Sequence, residues 1–374
     1  MHGSRLDIGV IGCGKIAQIK HLPYLQKLSR QFHVRALSDR DPEALRAAHA
    51  RFPLASVHAS HEELLEETLD AVLIATNGNH LIELLAASAK GCHIFVEKPL
   101  CLNVHDAERA AIAIQKAGIK AMVGYMKRHA PGVRWAIERF REAENPRFVQ
   151  CTLWQPSEDR YLNAVMDGSP KRVTNAFDSI RSRAAGEDFV EWMKEDFGSR
   201  LALEERVAYL LLTSTLVHDI NLLRSLLGEP VRVLQHEMWD DGLAGSALVL
   251  FPRRVVASLT WVFLAEGSYH ERFSLIAERE RIEIDFSSPY LHNSPVGISI
   301  DDLGPHGELR KSHVDLSYED PFELELKAFH DAVCRNSPIT TSVEDAVTDL
   351  RVIRDIFRAM SPVISREGGT GASP

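Results

Sequence analysis

The sequence predicts an α/β protein in two parts: an N-terminal doubly wound parallel sheet, followed by an α+β domain with a large, mostly antiparallel open sheet. Three patterns support this prediction. Apolar runs alternate with helical patterns over the first third of the chain, a glycine-rich turn follows the first run, and closely spaced strand patterns fill the second half. A length of 374 residues fits two domains. We place them at residues 1–126 and 127–374, and we expect the tail at 366–374 to be disordered.

The first part alternates strands and helices throughout. Its strand candidates are short and apolar along their whole length, as in parallel strands that are buried on both faces. Because crossovers between parallel strands are right-handed, this alternation builds a doubly wound sheet. The predicted strands are 6–11, 33–38, 70–75, 93–97 and 119–125, and the predicted helices are 15–28, 42–51, 61–67, 79–90 and 104–117.

The second part begins where this rhythm changes, near residue 146. A polar stretch at 156–200 has no clear period, and a long apolar helix is expected at 203–227. Strand runs joined by short turns then predict an antiparallel sheet, and two helices close the chain. The predicted strands are 147–154, 231–238, 244–251, 254–263, 271–278, 282–286 and 296–300, and the closing helices are 321–335 and 343–360.

The composition is that of an ordinary globular protein, with 45% hydrophobic and 25% charged residues. A net charge of −9 argues against nucleic acid or an anionic membrane as a partner. No apolar run has the length of a membrane span, and the first strand follows the N-terminus without a signal peptide. The five cysteines lack metal-ligand spacing. We therefore expect a cytoplasmic protein with reduced thiols and no bound metal.

A glycine turn follows the first predicted strand. In Gly12-Cys13-Gly14-Lys15-Ile16-Ala17, the first glycine permits a tight turn and the second lets a pyrophosphate approach the backbone. Lys15 and Ile16 then open a helix whose free N–H groups and dipole favour phosphate. This order of strand, glycine turn and helix is typical of dinucleotide-binding domains.

The second predicted strand ends at Asp39, where a carboxylate would bind both ribose hydroxyls of NAD and repel the extra phosphate of NADP. Arg40 leaves the choice open, because an arginine beside the ribose can bind that phosphate. Alternatively, Asp39 only caps the helix that starts near Pro42. The sequence thus favours NAD, with NADP as the alternative.

Two further groups follow predicted strands, where ligands bind in open α/β sheets. Thr76, Asn77 and His80 form a turn that passes the cofactor, although His80 has an equal claim to a structural role. Glu97 and Lys98 precede a proline, which fixes the lysine at the end of its strand. The Lys98 ammonium can stabilise negative charge on a substrate oxygen during hydride transfer. The alternative is an ordinary surface lysine.

The end of the first part and the long apolar helix supply the remaining candidates. Tyr125 and Arg128 lie in a turn with two more basic residues, Lys127 and His129, for which a solvated basic junction is the alternative. Ser214, His218 and Asn221 have helical spacing and share one face of their helix. His218 is suited to general acid/base catalysis, although a structural histidine is the alternative.

Together these elements resemble the glucose–fructose oxidoreductase, inositol dehydrogenase and rhizopine-catabolism family of NAD(P)-dependent oxidoreductases. The resemblance implies an N-terminal Rossmann domain, a homodimer or homotetramer formed through the second sheet, and hydride exchange at a carbon of a sugar, cyclitol or related polyol. It makes Lys98 and His218 the catalytic residues, and the Lys98–Pro99 bond is often cis in the family. The matching segments are GCGKIA at 12–17, Asp39, His80, EKP at 97–99, GYMKRHAP at 124–131, HDINLLRSLLGEP at 218–230, PFELELKAF and SVEDA.

Two positions depart from the family pattern, which usually has aspartates where this chain has Ser214 and Asn221. Without these carboxylates the His218 imidazole lacks groups that would orient it and raise its pKa. The chain also lacks the glycine-rich turn before the first of these positions, so its helix should begin earlier. The 156–200 stretch is long for the family and would reshape or cover the substrate cleft; its notable residues are Arg160, Tyr161, Arg181, Arg183 and Trp192.

Three functions remain open on the sequence. The first is an NAD(P)-dependent dehydrogenase or ketoreductase, in which Tyr125, Arg128, Ser214 and Asn221 contact a sugar or cyclitol. The second is a glycosidase-type enzyme that oxidises its sugar transiently and recycles bound NAD. The third is a catalytically weakened binding protein, which the two missing carboxylates suggest.

Overall fold

The structure is a computed structural model that describes residues 5–157, 176–198, 201–265 and 267–359. Arg160, Tyr161 and the tail at 366–374 lie outside the described residues. Within these ranges, the chain forms two sheets with helices packed on them. The helices among the described residues are all too short or too polar to cross a lipid bilayer.

The first sheet has six described strands, all parallel, in the order β3-β2-β1-β4-β5-β6. This order reverses at β1, which leaves a crevice between the carboxyl ends of β1 and β4. The strands are β1 (Leu6–Ile11), β2 (Phe32–Ser38), β3 (Ser56–His58), β4 (Ala71–Ile74), β5 (His93–Glu97) and β6 (Ala121–Gly124).

The helices of this region flank the sheet on both faces. The first begins with a π-helical turn, Ala17–His21, before regular α-helix resumes. Side chains cap several of the later helices; Asn103, for example, accepts a hydrogen bond from the Asp106 N–H at 2.7 Å. The helices are α1 (Leu22–Lys27), α2 (Pro42–Arg51), α3 (His61–Leu64), α4 (Leu81–Ala89), α5 (Val104–Ala117) and α6 (Pro131–Glu142).

The second sheet has eight described strands in the order β14-β13-β12-β11-β7-β10-β9-β8. The β7–β10 pair is parallel, whereas the other pairs are antiparallel. The strands are β7 (Phe148–Pro156), β8 (Arg232–Trp239), β9 (Ala244–Leu250), β10 (Val256–Leu264), β11 (His270–Ile276), β12 (Glu280–Phe286), β13 (Gly297–Leu303) and β14 (Leu309–Val314).

In the described part of the chain, six further helices lie beside and between the sheets. The long predicted helix is present and is broken by a π-helical turn at Leu212–Leu216. It begins at Leu203, before the position of the family's glycine turn, as predicted. The helices are α7 (Ala176–Ala185), α8 (Glu187–Phe197), α9 (Leu203–Leu211), α10 (Val217–Leu227), α11 (Pro321–Arg335) and α12 (Val343–Arg358).

The C-terminal helices pack back on the first sheet. Phe322, Leu326 and Phe329 of α11 belong to the same buried cluster as the strands β1 and β2. The Thr341 hydroxyl donates to the Val123 carbonyl at 2.7 Å, just before α12 begins. The end of the chain therefore closes one face of the cofactor domain.

The predicted fold class is confirmed, and the elements that the sequence did not predict are short or polar. They are strand β3, strand β14 and helix α6, together with α7 and α8 inside the stretch interpreted as lacking a period. Five of the six residues of β14 are exposed, so apolar alternation could not reveal it.

Candidate functional site

A cavity of about 1000 Å³ lies between the carboxyl edge of the first sheet and the second sheet. Its wall includes the glycine turn at one end and the helix segment from Ser214 to Asp219 at the other. Lys98 also lines it. The structure thus brings the predicted cofactor turn and both predicted catalytic side chains to one cavity.

The glycine turn has the geometry that a phosphate cradle needs. Gly12 has φ +93°, and a Cβ at this position would lie 2.6 Å from the Ala75 carbonyl carbon. A Cβ at Gly14 would meet no atom within 4 Å, so the backbone there is open on the cavity side. Lys15 and Ile16 line the cavity beside it. These residues fit a dinucleotide pyrophosphate.

Asp39 stabilises the glycine turn through its carboxylate. Its two carboxylate oxygens accept hydrogen bonds from the backbone N–H groups of Cys13 at 2.6 Å and Asp41 at 2.7 Å. Asp41 rather than Asp39 caps α2, because its side chain accepts from the Glu43 N–H at 2.9 Å. The capping alternative for Asp39 was therefore wrong, and Arg40 is exposed.

Burial and the Asp39 charge raise the pKa of the Cys13 thiol to about 12. The thiol is therefore protonated at neutral pH, and a nucleophilic role for it has no support.

The turn after β4 lines the cavity through Thr76, Asn77 and His80. The His80 ring is buried, and its two nitrogens lie 2.9 Å from the carbonyl oxygens of Pro99 and Thr76. His80 thereby ties the β4 turn to the Lys98–Pro99 turn. Asn79, which precedes α4, does not cap this helix; its side chain donates to Asp106 at 2.5 Å.

Lys98 joins the two halves of the site. Its Nζ atom donates a hydrogen bond to the Ser214 carbonyl at 2.7 Å, and the Lys98–Pro99 bond is cis, as the family resemblance implied. Ser214 lies in the π-helical turn that precedes α10. Turns of this type recur at functional sites because they release carbonyl groups from the regular hydrogen-bond ladder.

His218 follows one helical turn after Ser214 and lines the same cavity. Its Nδ1 atom is buried without a hydrogen-bond partner among the described residues, and its ring packs edge-on against Tyr125. Burial, followed by the charges of Lys98 and Lys127, lowers the pKa of His218 well below its usual value. The imidazole is therefore neutral at pH 7, and able to accept a proton.

Glu97 is fixed by contacts with buried side chains that the sequence did not reveal. Its carboxylate lies 2.7 Å from His21 Nε2 and accepts from the Lys98 N–H at 3.1 Å. Glu325 of α11 completes the group, and His21, Glu97 and Glu325 have potential metal-ligand atoms within 4.8 Å of one another. Burial, followed by the charges of Glu97 and Asp320, raises the pKa of Glu325 well above its usual value. We interpret this group as the support of the lysine turn.

Lys127 is buried, contrary to the interpretation of a solvated basic turn. Its Nζ atom contacts Asp219 at 2.7 Å and also Glu271, and the Tyr269 hydroxyl donates to Glu271 at 2.7 Å. Burial raises the pKa of Asp219, while Lys127 and the Asp219 hydrogen bond keep the pKa of Glu271 low. Burial thus favours the protonated form of Asp219, whereas the Lys127 charge favours the ionised form of Glu271.

His129 is also buried, and burial lowers its pKa to about 4.

Tyr125, Arg128 and Asn221 do not line the cavity. Asn221 donates to Asp345 and Asp349 of α12 at 2.8 Å each, and Arg128 donates to the Asn221 side-chain oxygen at 3.0 Å. This placement gives the three residues contacts between helices rather than contacts with a ligand. Ser214 lines the cavity, although its hydroxyl donates to the Leu210 carbonyl at 2.5 Å.

Comparisons with known proteins agree with this architecture. A family model described as an oxidoreductase family with an NAD-binding Rossmann fold matches residues 6–125. Inositol 2-dehydrogenase of Ralstonia nicotianae is 34% identical over 42% of this chain and 48% of its own length. A 1-carboxy-3-chloro-3,4-dihydroxycyclohexa-1,5-diene dehydrogenase of Comamonas testosteroni is 29% identical over 48% of each chain. The chain thus spans about half the length of these curated relatives.

Solved structures match the whole architecture. KijD10, a 3-ketoreductase from Actinomadura kijaniata solved with NADP and TDP-benzene, superposes with a TM-score of 0.72 over 96% of this chain and 99% of its own, at 20% identity. A Thermotoga maritima oxidoreductase gives a TM-score of 0.71 at 21% identity, over 95% of this chain and 97% of its own. The first domain therefore matches an oxidoreductase family with an NAD-binding Rossmann fold, and the solved structures show the same fold over nearly the whole chain.

Proposed function

We propose that this protein is an NAD(P)-dependent dehydrogenase or ketoreductase that acts on a carbon of a sugar, cyclitol or related polyol. The observation that carries the proposal is the Lys98–Ser214 hydrogen bond of 2.7 Å. It brings the lysine at the end of the cofactor domain to the helix that carries His218, in the cavity that the glycine turn also lines. When bound, the nicotinamide supplies the hydride acceptor or donor.

Lys98 binds the oxygen of the reacting carbon in this proposal. Its ammonium is anchored by the Ser214 carbonyl and stands next to Glu97, whose carboxylate is held by His21. A fixed cation at this oxygen stabilises the negative charge that develops when the hydroxyl proton leaves during oxidation or when hydride adds to the carbonyl during reduction.

His218 takes the hydroxyl proton during oxidation and returns it during reduction. The lowered pKa keeps the imidazole in the neutral form, which can accept that proton, and makes it a weaker base than a free histidine. Neither Ser214 nor Asn221 supplies a carboxylate here, so the orientation of the ring depends on its packing against Tyr125.

We also propose NAD as the cofactor, because the Asp39 carboxylate, which accepts a hydrogen bond from the Cys13 N–H of the glycine turn, would oppose a phosphate on the adjacent ribose. The family resemblance further supports a homodimer or homotetramer formed through the second sheet.

A turnover screen tests the proposed function. Purified protein is incubated with NAD⁺ or NADP⁺ and a panel of polyols, and with the reduced cofactors and the matching ketones. Lys98→Ala and His218→Ala should each reduce kcat by roughly 10²–10⁴-fold. The exposed Lys116 supplies the control variant Lys116→Ala, which should be unaffected.

Unchanged kcat in Lys98→Ala would refute its assigned role. Bond cleavage without net build-up of reduced cofactor would instead identify the glycosidase-type reaction.

A further inference from the structure

Helix α7 forms part of the cavity wall. Phe177, Ile180 and Arg183 of this helix line the cavity. Arg206 of α9 donates to the Ala184 carbonyl at 2.8 Å, which fixes the end of α7 beside the helix that leads to His218. The inserted segment therefore contributes to the cavity wall beside the helix that leads to His218.

Arg183 differs from the other basic side chains of this wall because it has no partner of opposite charge among the described residues. Lys20 lies 3.0 Å from Asp320, Lys127 contacts two carboxyl groups, and Lys15 and Lys98 also have partners. Of the lysine and arginine side chains on the described part of the wall, Arg183 alone has neither a hydrogen bond nor an ion pair. Its neighbour Arg181, by contrast, lies 3.2 Å from Asp241.

Arg183 is exposed on the cavity wall, so its unpaired guanidinium is available to an anion that enters the cavity. Surrounding protein lowers the pKa of Arg183, yet an arginine stays charged at every physiological pH. Its planar fork matches the two oxygens of a carboxylate or a phosphate group. Phe177 and Ile180 on the same helix give an apolar surface for the body of the ligand.

We infer that Arg183 binds an anionic group of the substrate, so that the substrate is a sugar or cyclitol carrying a carboxylate or a phosphate ester. The inference rests on the proposed function for the identity of the polyol, but the anion site itself does not depend on hydride transfer.

Calorimetric titrations test the inference with three probes: glucose, glucuronate and glucose 6-phosphate. They are run on the full chain with and without NAD⁺, for the wild type, Arg183→Ala, Arg183→Lys and the matched control Arg181→Ala. At least one charged sugar should bind the wild type ~10-fold more tightly than glucose. Arg183→Ala should abolish that difference, Arg183→Lys should retain part of it, and Arg181→Ala should retain it in full. If glucuronate is the probe that binds more tightly, the site takes a carboxylate; if glucose 6-phosphate is, the site takes a phosphate ester.

Three results would overturn the inference: no preference for either charged sugar, equal losses for glucose and the charged sugars in Arg183→Ala, or a loss of NADH binding in that variant. The last result would assign Arg183 to the phosphates of the cofactor. The proposed function is tested separately, by the change in nicotinamide absorbance in the turnover screen. Charge-selective binding without turnover would refute the dehydrogenase proposal and still support the anion site at Arg183.

Discussion

At the scale of single residues, the two glycines of the phosphate cradle have different physical roles. Gly12 has a positive φ of +93°, and a Cβ atom added to it would lie 2.6 Å from the Ala75 carbonyl carbon. Gly14 has open space at the same position. A methyl group at Gly12 therefore strains the protein itself, whereas one at Gly14 occupies only the space of a ligand.

These environments predict opposite phenotypes for two alanine variants. Gly12→Ala should lower the free energy of unfolding by more than ~1 kcal/mol, because the strained backbone and the close contact both oppose it. Gly14→Ala should unfold like the wild type but bind NADH at least ~10-fold more weakly. Thermal unfolding and NADH fluorescence titration measure the two effects. Equal loss of stability in both variants would contradict the assignment.

Glu325 gives a pH-dependent prediction. Its pKa is raised in the folded state, so the stability that its proton confers is complete below the unfolded pKa of about 4.3 and is lost as pH rises through the folded value. Glutamine at this position cannot ionise. The Tm of Glu325→Gln relative to the wild type should therefore rise by at least ~2 °C between about pH 4.5 and about pH 7.

The exposed Glu138 provides the control Glu138→Gln for that series. A Tm difference for Glu325→Gln that stays flat with pH would show that Glu325 ionises normally. Facing groups that could modify the profile are His21, Glu97 and Asp320, and they are the same in both proteins.

At the scale of elements, the inserted helix α8 is fastened to the first domain by Asp196. Its carboxylate accepts from the Val104 N–H at 3.1 Å, at the start of α5, and from the Tyr209 hydroxyl at 3.3 Å. Trp192 of the same helix lies over Gly78. The Asp196 side chain thus joins the inserted helix to α5 of the first domain and to α9 of the second.

Removal of this carboxylate should loosen the insertion. Asp196→Ala leaves a helix N-terminus and a buried hydroxyl without their acceptor, and we expect a loss of about 1–3 kcal/mol in the free energy of unfolding. Chemical denaturation provides the measurement. The exposed neighbour Glu195 supplies Glu195→Ala, which should be neutral; equal behaviour of the two variants would contradict the role of Asp196.

The elements also show how far sequence reasoning reaches. Long periodic elements such as α11 were predicted with their bounds, because apolar spacing and a capping Asp320 mark them. Strand β3 has three residues, and none of them is buried. In the site, Lys98 and His218 follow from local motifs. The Lys127 cluster does not, because its partners Asp219 and Glu271 are 92 and 144 residues away and meet only in the folded chain.

At the scale of the whole molecule, the second sheet presents an open face. Residues such as Val149 and Leu153 point into the core, whereas the alternate residues of β7, including Thr152 and Trp154, are partly or largely exposed. Trp154 is 46% exposed and its ring lies 4.6 Å from that of His270. A sheet face of this kind suits association between copies of the chain.

We accordingly expect a dimer or tetramer in light scattering coupled to size-exclusion chromatography. Thr152→Arg adds a large cation to the open face and should shift the protein towards the monomer without loss of secondary structure. A wild-type monomer, or an unchanged assembly in Thr152→Arg, would contradict association through this face.

The central claim is that a nicotinamide cofactor lies in the cavity between the glycine turn and Lys98. The most direct test is a parallel fluorescence titration of the purified protein with NADH and NADPH, after confirming that no cofactor has co-purified. We expect saturable binding of NADH that is at least ~10-fold tighter than that of NADPH, since the Asp39 carboxylate would oppose the additional phosphate. Tighter binding of NADPH would shift the cofactor choice to Arg40, and binding of neither would contradict the dehydrogenase assignment.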